Sequence, residues 1–174
     1  MIGCIIQARM GSTRLPGKVV KKIDGEKTVL DYVINQLKAS KKIDTIIVAT
    51  TNLQEDDIIF NYLKFQQIEC YRGSSEDVLD RYYQCAKKFG IDHILRITAD
   101  NPLIDPKFID IIIEKYKNEK CDFMTNAIHR TFPYGTEVEV FSFESLEKSW
   151  KMAKKPSERE HVTPFMCDPQ NKFK

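Results

Sequence analysis

Short apolar runs alternate with amphipathic stretches along most of this chain. Residues 2–7 (IGCIIQ) and 45–51 (TIIVATT) are nearly all apolar or small, which predicts buried strands. Residues 68–72 (IECYR), 93–98 (HILRIT) and 121–125 (CDFMT) predict three more. Residues 137–141 (EVEVF) alternate charged and apolar positions, the pattern of a half-exposed strand. Between these runs the apolar spacing changes to that of a helix. Val29, Leu30, Val33, Ile34 and Leu37 follow Thr28, a good N-cap, and a second helix is predicted over 55–66. Val78, Leu79, Tyr82, Tyr83, Ala86 and Phe89 form one stripe, with Ser75 as the expected cap and Gly90 as the stop. Asp105 followed by Pro106 opens a further helix, and Ser142 opens another that runs to about Ala153. Ser157-Glu158-Arg159-Glu160 reads as a capping box for a last short helix.

Strands that alternate with helices imply parallel strands joined by crossovers, hence an α/β sheet with helices on both faces. Ligands of such sheets bind beyond the strand C-termini. The rule directs attention to residues 7–18, 50–57, 72–81, 98–105 and 126–137.

The composition narrows the class. The chain has 174 residues, 42% hydrophobic and 30% charged, which fits one globular domain. A net charge of +2 and the lack of a basic helix argue against a nucleic-acid partner. The apolar start is too short for a signal peptide or a membrane span, so no membrane partner is expected. Five scattered cysteines without CxxC spacing point to a reducing cytoplasm rather than to disulfides or a metal cluster.

The first strand runs into GSTRLPGKV, residues 11–19. This is not a Walker loop. Five residues rather than four separate Gly11 from Gly17, and Val19 follows Lys18 where a magnesium-binding hydroxyl would stand. Pro16 removes one amide. The ingredients of an anion clamp are nevertheless present. Two glycines allow close backbone approach, Ser12 and Thr13 are hydroxyl donors, and Arg9, Arg14 and Lys18 carry charge. By chemistry alone a phosphate loop and a solvated basic turn are evenly matched.

The stretch IIQARMGSTRLPGK resembles the signature of the CMP-sugar synthetases, a cytidylyltransferase family. It is most similar to the branch that contains the spore coat polysaccharide biosynthesis protein SpsF. ATTNLQEDD (49–57), RGSSEDVLDRY (72–82), RITADNPLIDP (96–106), TNAIHRTFPYGTEVEVF (125–141) and REHVTPF (159–165) extend the resemblance over nearly the whole chain. It implies a three-layer, GT-A-like (Rossmann-like) nucleotide-diphospho-sugar transferase fold with a mainly parallel sheet. It also implies CTP and a sugar as substrates, Mg²⁺ as cofactor, pyrophosphate as the released product, a role in polysaccharide biosynthesis, and homodimer contacts. The family also carries a C-terminal segment with a second metal-binding aspartate. The expectation is therefore a single nucleotidyltransferase domain over 1–174 without that segment, since Asp168 stands in a different context.

Carried over by position, Ala8 lies near the base, Arg9, Arg14 and Lys18 hold the phosphates, and Gly11 and Ser12 line the loop. Asp100 falls where the family binds its metal, although an Asp that only starts a turn before Pro102 is a common alternative. Arg14, Lys18 and Asp100 are the expected catalytic set. Asp80 and Arg81 are expected beside the base and ribose, Arg72 and Ser74 less so, and Thr50, Thr51 and Asp56 at another strand end. Acceptor-side candidates come from 129–139, a segment rich in aromatic and charged residues, where aromatic faces stack on sugars and arginine suits a carboxylate. They are Arg130, Tyr134, Glu137 and Glu139, joined by Arg159 and His161 of the REHVT motif. A helix-surface role for His161 and a capping role for Glu160 compete with these readings. So does a different function altogether, either a glycosyltransferase of the same fold or a non-catalytic nucleotide-binding protein.

Overall fold

The computed structural model describes residues 1–129 and 131–174. Six strands of the described residues form one mixed sheet: β1 (Ile2–Gln7), β2 (Thr45–Thr51), β3 (Glu69–Gly73), β4 (His93–Thr98), β5 (Phe123–Thr125) and β6 (Glu139–Ser142). Their spatial order is β3-β2-β1-β4-β6-β5. The β1–β2, β1–β4 and β2–β3 pairs are parallel, whereas β6 lies antiparallel between β4 and β5. The expected strand at 137–141 is displaced. It begins at Glu139, after Gly135 N–H and Val138 N–H have been taken by the side chains of Glu137 and Asn126.

Among the described residues seven α-helices cover the faces: α1 (Val29–Lys38), α2 (Asp57–Phe65), α3 (Val78–Phe89), α4 (Pro106–Glu119), α5 (Phe143–Met152), α6 (Pro156–His161) and α7 (Pro164–Cys167). Alternation in the strands divides the core in two. Cys4, Ile6 and Val48 face α1, α2 and α4, where Leu30, Ile59 and Ile113 meet them. Ile5, Ile47 and Ile94 face α3, α5 and the short C-terminal helices, where Tyr82, Leu146 and Phe165 meet them. All twelve of these side chains but Phe165 are fully buried. At about 25 cal/mol per Å² of apolar surface removed from water, two such layers supply most of the drive to fold.

The caps explain several helix starts. Thr28 accepts from Asp31 N–H while the Asp31 carboxylate accepts from Thr28 N–H, closing a capping box. Asp105 and Ser142 cap α4 and α5 as their sequence predicts. Two starts are corrected. α3 is capped by Asp77 rather than Ser75, because the Asp77 carboxylate reaches Asp80 N–H and the Ser74 hydroxyl already serves Asp77 N–H. α6 starts earlier than the Ser157 box would have it. Pro156 takes the first position, and the Glu158 carboxylate accepts from the Lys154 and Lys155 amides, leaving Glu160 exposed.

Candidate active site

Strand β1 is central, so its C-terminal loop adjoins the loops of both neighbours. Gln7 is level with Thr98, and the registry continues past the strand ends, with Ala8 N–H on the Ala49 carbonyl and Ala99 N–H on the Gln7 carbonyl. The loop after β1 and the loop after β4 therefore rise side by side. Between them lies a polar cavity of ≈ 210 Å³, lined by Gln7, Ala8, Arg9, Ser12, Thr13, Arg14 and Lys18 on one side and by Thr98, Ala99 and Asp100 on the other.

The loop after β1 is held by its own backbone. The Met10 carbonyl accepts from Ser12 N–H at 2.8 Å and from Gly17 N–H at 2.9 Å. Gly17 then turns the chain with φ of 67°, a conformation that costs glycine little, and a single 3₁₀ turn over Lys18–Val20 follows. This turn aims the Lys18 ammonium across the cavity, where it donates to the Asp100 carboxylate. Burial pushes the Asp100 carboxyl up, but hydrogen bonds from Lys18 and Thr98 and the lysine charge outweigh it and hold it below the usual range.

A second cavity of ≈ 270 Å³ shares Thr98 with the first and is lined by Arg96, Asn101, Ala127, Glu137 and Glu139. Its floor is a buried ion pair. Arg96 donates to one oxygen of Glu139 and, at 3.0 Å, to Oε1 of Gln7. The other Glu139 oxygen accepts from the Thr163 hydroxyl at 2.8 Å. Burial is the largest single influence and lowers the Arg96 guanidinium, but the charge and hydrogen bond of Glu139 together with Tyr82 outweigh it, so the net shift is upward. Thr163 owes its position to a tight γ-turn. Val162, with φ of 71° and ψ of −56°, lets Thr163 N–H reach the His161 carbonyl at 2.9 Å. A fully buried β-branched residue in this region is strained, and its packing holds it there.

The sequence candidates divide by position. Ala8, Arg9, Ser12, Arg14, Lys18 and Asp100 converge on the first cavity, and Glu137 and Glu139 on the second. Gly11 sits on the outer side of its loop, where an added Cβ would come within 2.8 Å of Glu55 Oε1. Thr50 is fully buried inside the fold. Arg81 is 1% exposed, lines neither cavity, and donates to the Ser74 carbonyl at 2.8 Å. Asp80 turns toward α5, accepting from the Trp150 indole at 2.8 Å and from Gln84 at 3.1 Å. Arg159 donates to Asp77 and to the Trp150 carbonyl, so it ties α6 to α3 and α5. Its neighbour His161 is exposed. Tyr134 is 81% exposed at the mouth of the 126–137 segment. Arg130 lies outside the described residues.

Arg96 was not anticipated, and Gln7 and Thr98 lie at strand ends to which the sequence points without singling them out as site residues. A signal existed for Arg96. A charged side chain inside the otherwise apolar run HILRIT has to find a buried partner, because an unpaired buried charge is very costly.

Known proteins resemble this chain in sequence and in fold. The family profile described as Cytidylyltransferase matches residues 3–174. An uncharacterised protein of Methanocaldococcus jannaschii is 43% identical over 170 residues, covering 98% of this chain and 68% of its own. The spore coat polysaccharide biosynthesis protein SpsF of Bacillus subtilis is 35% identical, covering 93% of this chain and 68% of its own. Among solved structures, a cytidylyltransferase from Leptospira borgpetersenii superposes with a TM-score of 0.92 at 39% identity, over 99% of this chain and 73% of that one. A CMP:2-keto-3-deoxy-manno-octonic acid synthetase complexed with CTP superposes with a TM-score of 0.70 at 16% identity, over 95% of this chain and 85% of that one, a likeness of fold.

Proposed function

The chain belongs to the cytidylyltransferase family and is thus a nucleotidyltransferase, and we propose that it transfers CMP from CTP to an acidic or amino-substituted sugar, releasing pyrophosphate. The observation that carries this reading is the convergence of Arg9, Arg14 and Lys18 with Asp100 on one cavity at the sheet's C-terminal edge. The adjoining cavity, with Arg96, Asn101 and carboxylates in its wall, offers charged and polar groups of both kinds to a sugar.

In this reading Ala8 and Gln7 border the nucleoside, while Arg9, Arg14 and Lys18 neutralise the triphosphate. Lys18 exchanges part of its contact with Asp100 for a phosphate oxygen as CTP enters. Arg14 and Lys18 hold the pyrophosphate as the bond to the α-phosphorus breaks, and the sugar hydroxyl attacks in line from the second cavity. Positioning and charge neutralisation are most of what such a transfer asks of a protein.

The donor set fits Mg²⁺. Among the described residues no three His, Cys, Asp or Glu side chains gather to hold a metal alone. Mg²⁺ commonly takes one or two carboxylates together with phosphate oxygens and water, so Asp100 would be the protein ligand and CTP would supply the rest. When bound, the metal would lower the pKa of the attacking hydroxyl and screen the phosphate charge.

The similarity to SpsF supports a place in surface or spore-coat polysaccharide synthesis. Unpaired cysteines support a cytoplasmic setting, and no described helix is long and apolar enough to cross a membrane. The test is pyrophosphate release from CTP, ATP, GTP and UTP with Mg²⁺ and a panel of acidic, amino and neutral sugars. CTP should be the preferred donor, and Lys18→Ala should slow turnover by roughly 10²–10³-fold. Failure to bind CTP in the presence of Mg²⁺ would overturn the reading.

A further inference from the structure

The segment ATTNLQEDD, residues 49–57, has no part in the chemistry above, yet it contains a fully buried carboxylate, Asp56. One Asp56 oxygen accepts from Met10 N–H at 2.6 Å. The other accepts from the Thr51 hydroxyl and from Thr51 N–H at 3.3 Å. A buried carboxylate needs such donors to remain in place, and here one of them belongs to the loop after β1.

Met10 is the hub of that loop, since its carbonyl receives both Ser12 N–H and Gly17 N–H. Asp56 therefore fixes the peptide group next to the one that organises Ser12 and, through Gly17, the turn that carries Lys18. The contact continues at Gly11, where the space a Cβ would need is taken by Glu55 Oε1. From the far side Arg72 braces the same turn. It donates to the Thr51 carbonyl at 2.9 Å, to the Leu53 carbonyl at 2.8 Å and to the Asp57 carboxylate at 2.5 Å.

We propose that the Thr51–Asp57 turn is the platform that sets the shape of the nucleotide loop, with Asp56 as the positioning residue for CTP. Asp56 lines neither cavity and acts only through Met10. The proposal rests on the reading of that loop as the triphosphate site, and its test separates the two.

Asp56→Ala and Asp56→Asn are compared with the parent protein by calorimetric titration of CTP with Mg²⁺ and by amide hydrogen exchange without ligand. Loss of a charge-assisted contact inside the protein is worth about tenfold or more, so Asp56→Ala should weaken CTP by at least that factor. Asp56→Asn keeps a carbonyl oxygen for Met10 N–H and should recover to within about threefold of the parent. Exchange should speed up in Asp56→Ala at Met10, Ser12 and Gly17 while β4 and α4 stay protected, a localisation that a general loss of stability would not produce. If Asp56→Ala does not fold, Thr51→Val removes only the hydroxyl that steadies Asp56, and a smaller shift in the same amides and the same affinity is expected. Unchanged loop exchange or unchanged CTP affinity in Asp56→Ala, or in Thr51→Val where Asp56→Ala does not fold, overturns the proposal. Parent protein that does not bind CTP, with the loop exchange of Asp56→Ala still accelerated, overturns the nucleotide reading and leaves the platform standing.

Discussion

Lys18 and Asp100 stand eighty-two residues apart in sequence and meet as an ion pair across the polar cavity. About a quarter of the lysine side chain and a third of the aspartate side chain are exposed. The pair is thus open to competition from an incoming anion, and what it contributes to stability is modest at that exposure.

From this pairing comes the expected metal dependence. With Mg²⁺ the parent protein should bind CTP roughly tenfold more tightly than with a chelator, the size of one charge-assisted contact. In Asp100→Asn that difference should vanish, because the cavity loses the carboxylate proposed to hold the metal. Isothermal titration in Mg²⁺ and in EDTA checks it, and equal gains in both proteins would remove Asp100 from the metal site.

The buried pair beneath the second cavity should behave quite differently. Arg96 and Glu139 have side chains only 14% and 11% exposed. Glu139→Ala leaves a buried guanidinium without its counter-charge, so a loss of about 3–5 kcal/mol is expected in urea unfolding. Arg96→Met combined with Glu139→Leu should be markedly more stable than Glu139→Ala alone, since no unpaired charge remains. A double variant as unstable as the single one would count against the electrostatic explanation.

His93 supplies a pH dependence. Burial, followed by the nearby N-terminal ammonium, lowers the pKa of its imidazole below the ordinary value of 6.5. Its Nδ1 lies 3.1 Å from the Tyr116 hydroxyl. The unfolded chain therefore takes up the proton first as pH falls. The stability associated with the neutral ring is present above about pH 6.5 and is lost as pH drops through the lower folded value. Urea midpoints measured from pH 7.5 to 5 should fall in the parent and fall less in His93→Gln. Parallel curves would assign the acid sensitivity to other groups.

The strands, most helices and the loop after the first strand were legible in the sequence because they depend on local periodicity and local caps. Strand β1 begins and ends where its apolar run does, and Gly90 terminates α3 as expected. Where two local solutions compete, the sequence is ambiguous. Ser75 and Asp77 are both good caps, and it is the Asp77 carboxylate that reaches Asp80 N–H, with Asp77 N–H itself held by the Ser74 hydroxyl. Asp80 and Arg159 illustrate the same limit among the site candidates. Both occur in motif-like segments, yet Asp80 meets Trp150 and Arg159 meets Asp77 once α3, α5 and α6 pack together.

Taken alone, the sequence determined the alternation of strands and helices, the cationic loop after β1 and the carboxylate after β4. Each of these depends on neighbours a few positions away. The tertiary structure decided that β1 lies beside β4, that β6 inserts antiparallel between β4 and β5, and that Asp56, Arg96 and Glu139 are buried with partners from distant segments. The physical reason is that a charge inside a fold survives only where chain crossings bring it donors or a counter-charge, and those crossings are set by the packing of whole layers.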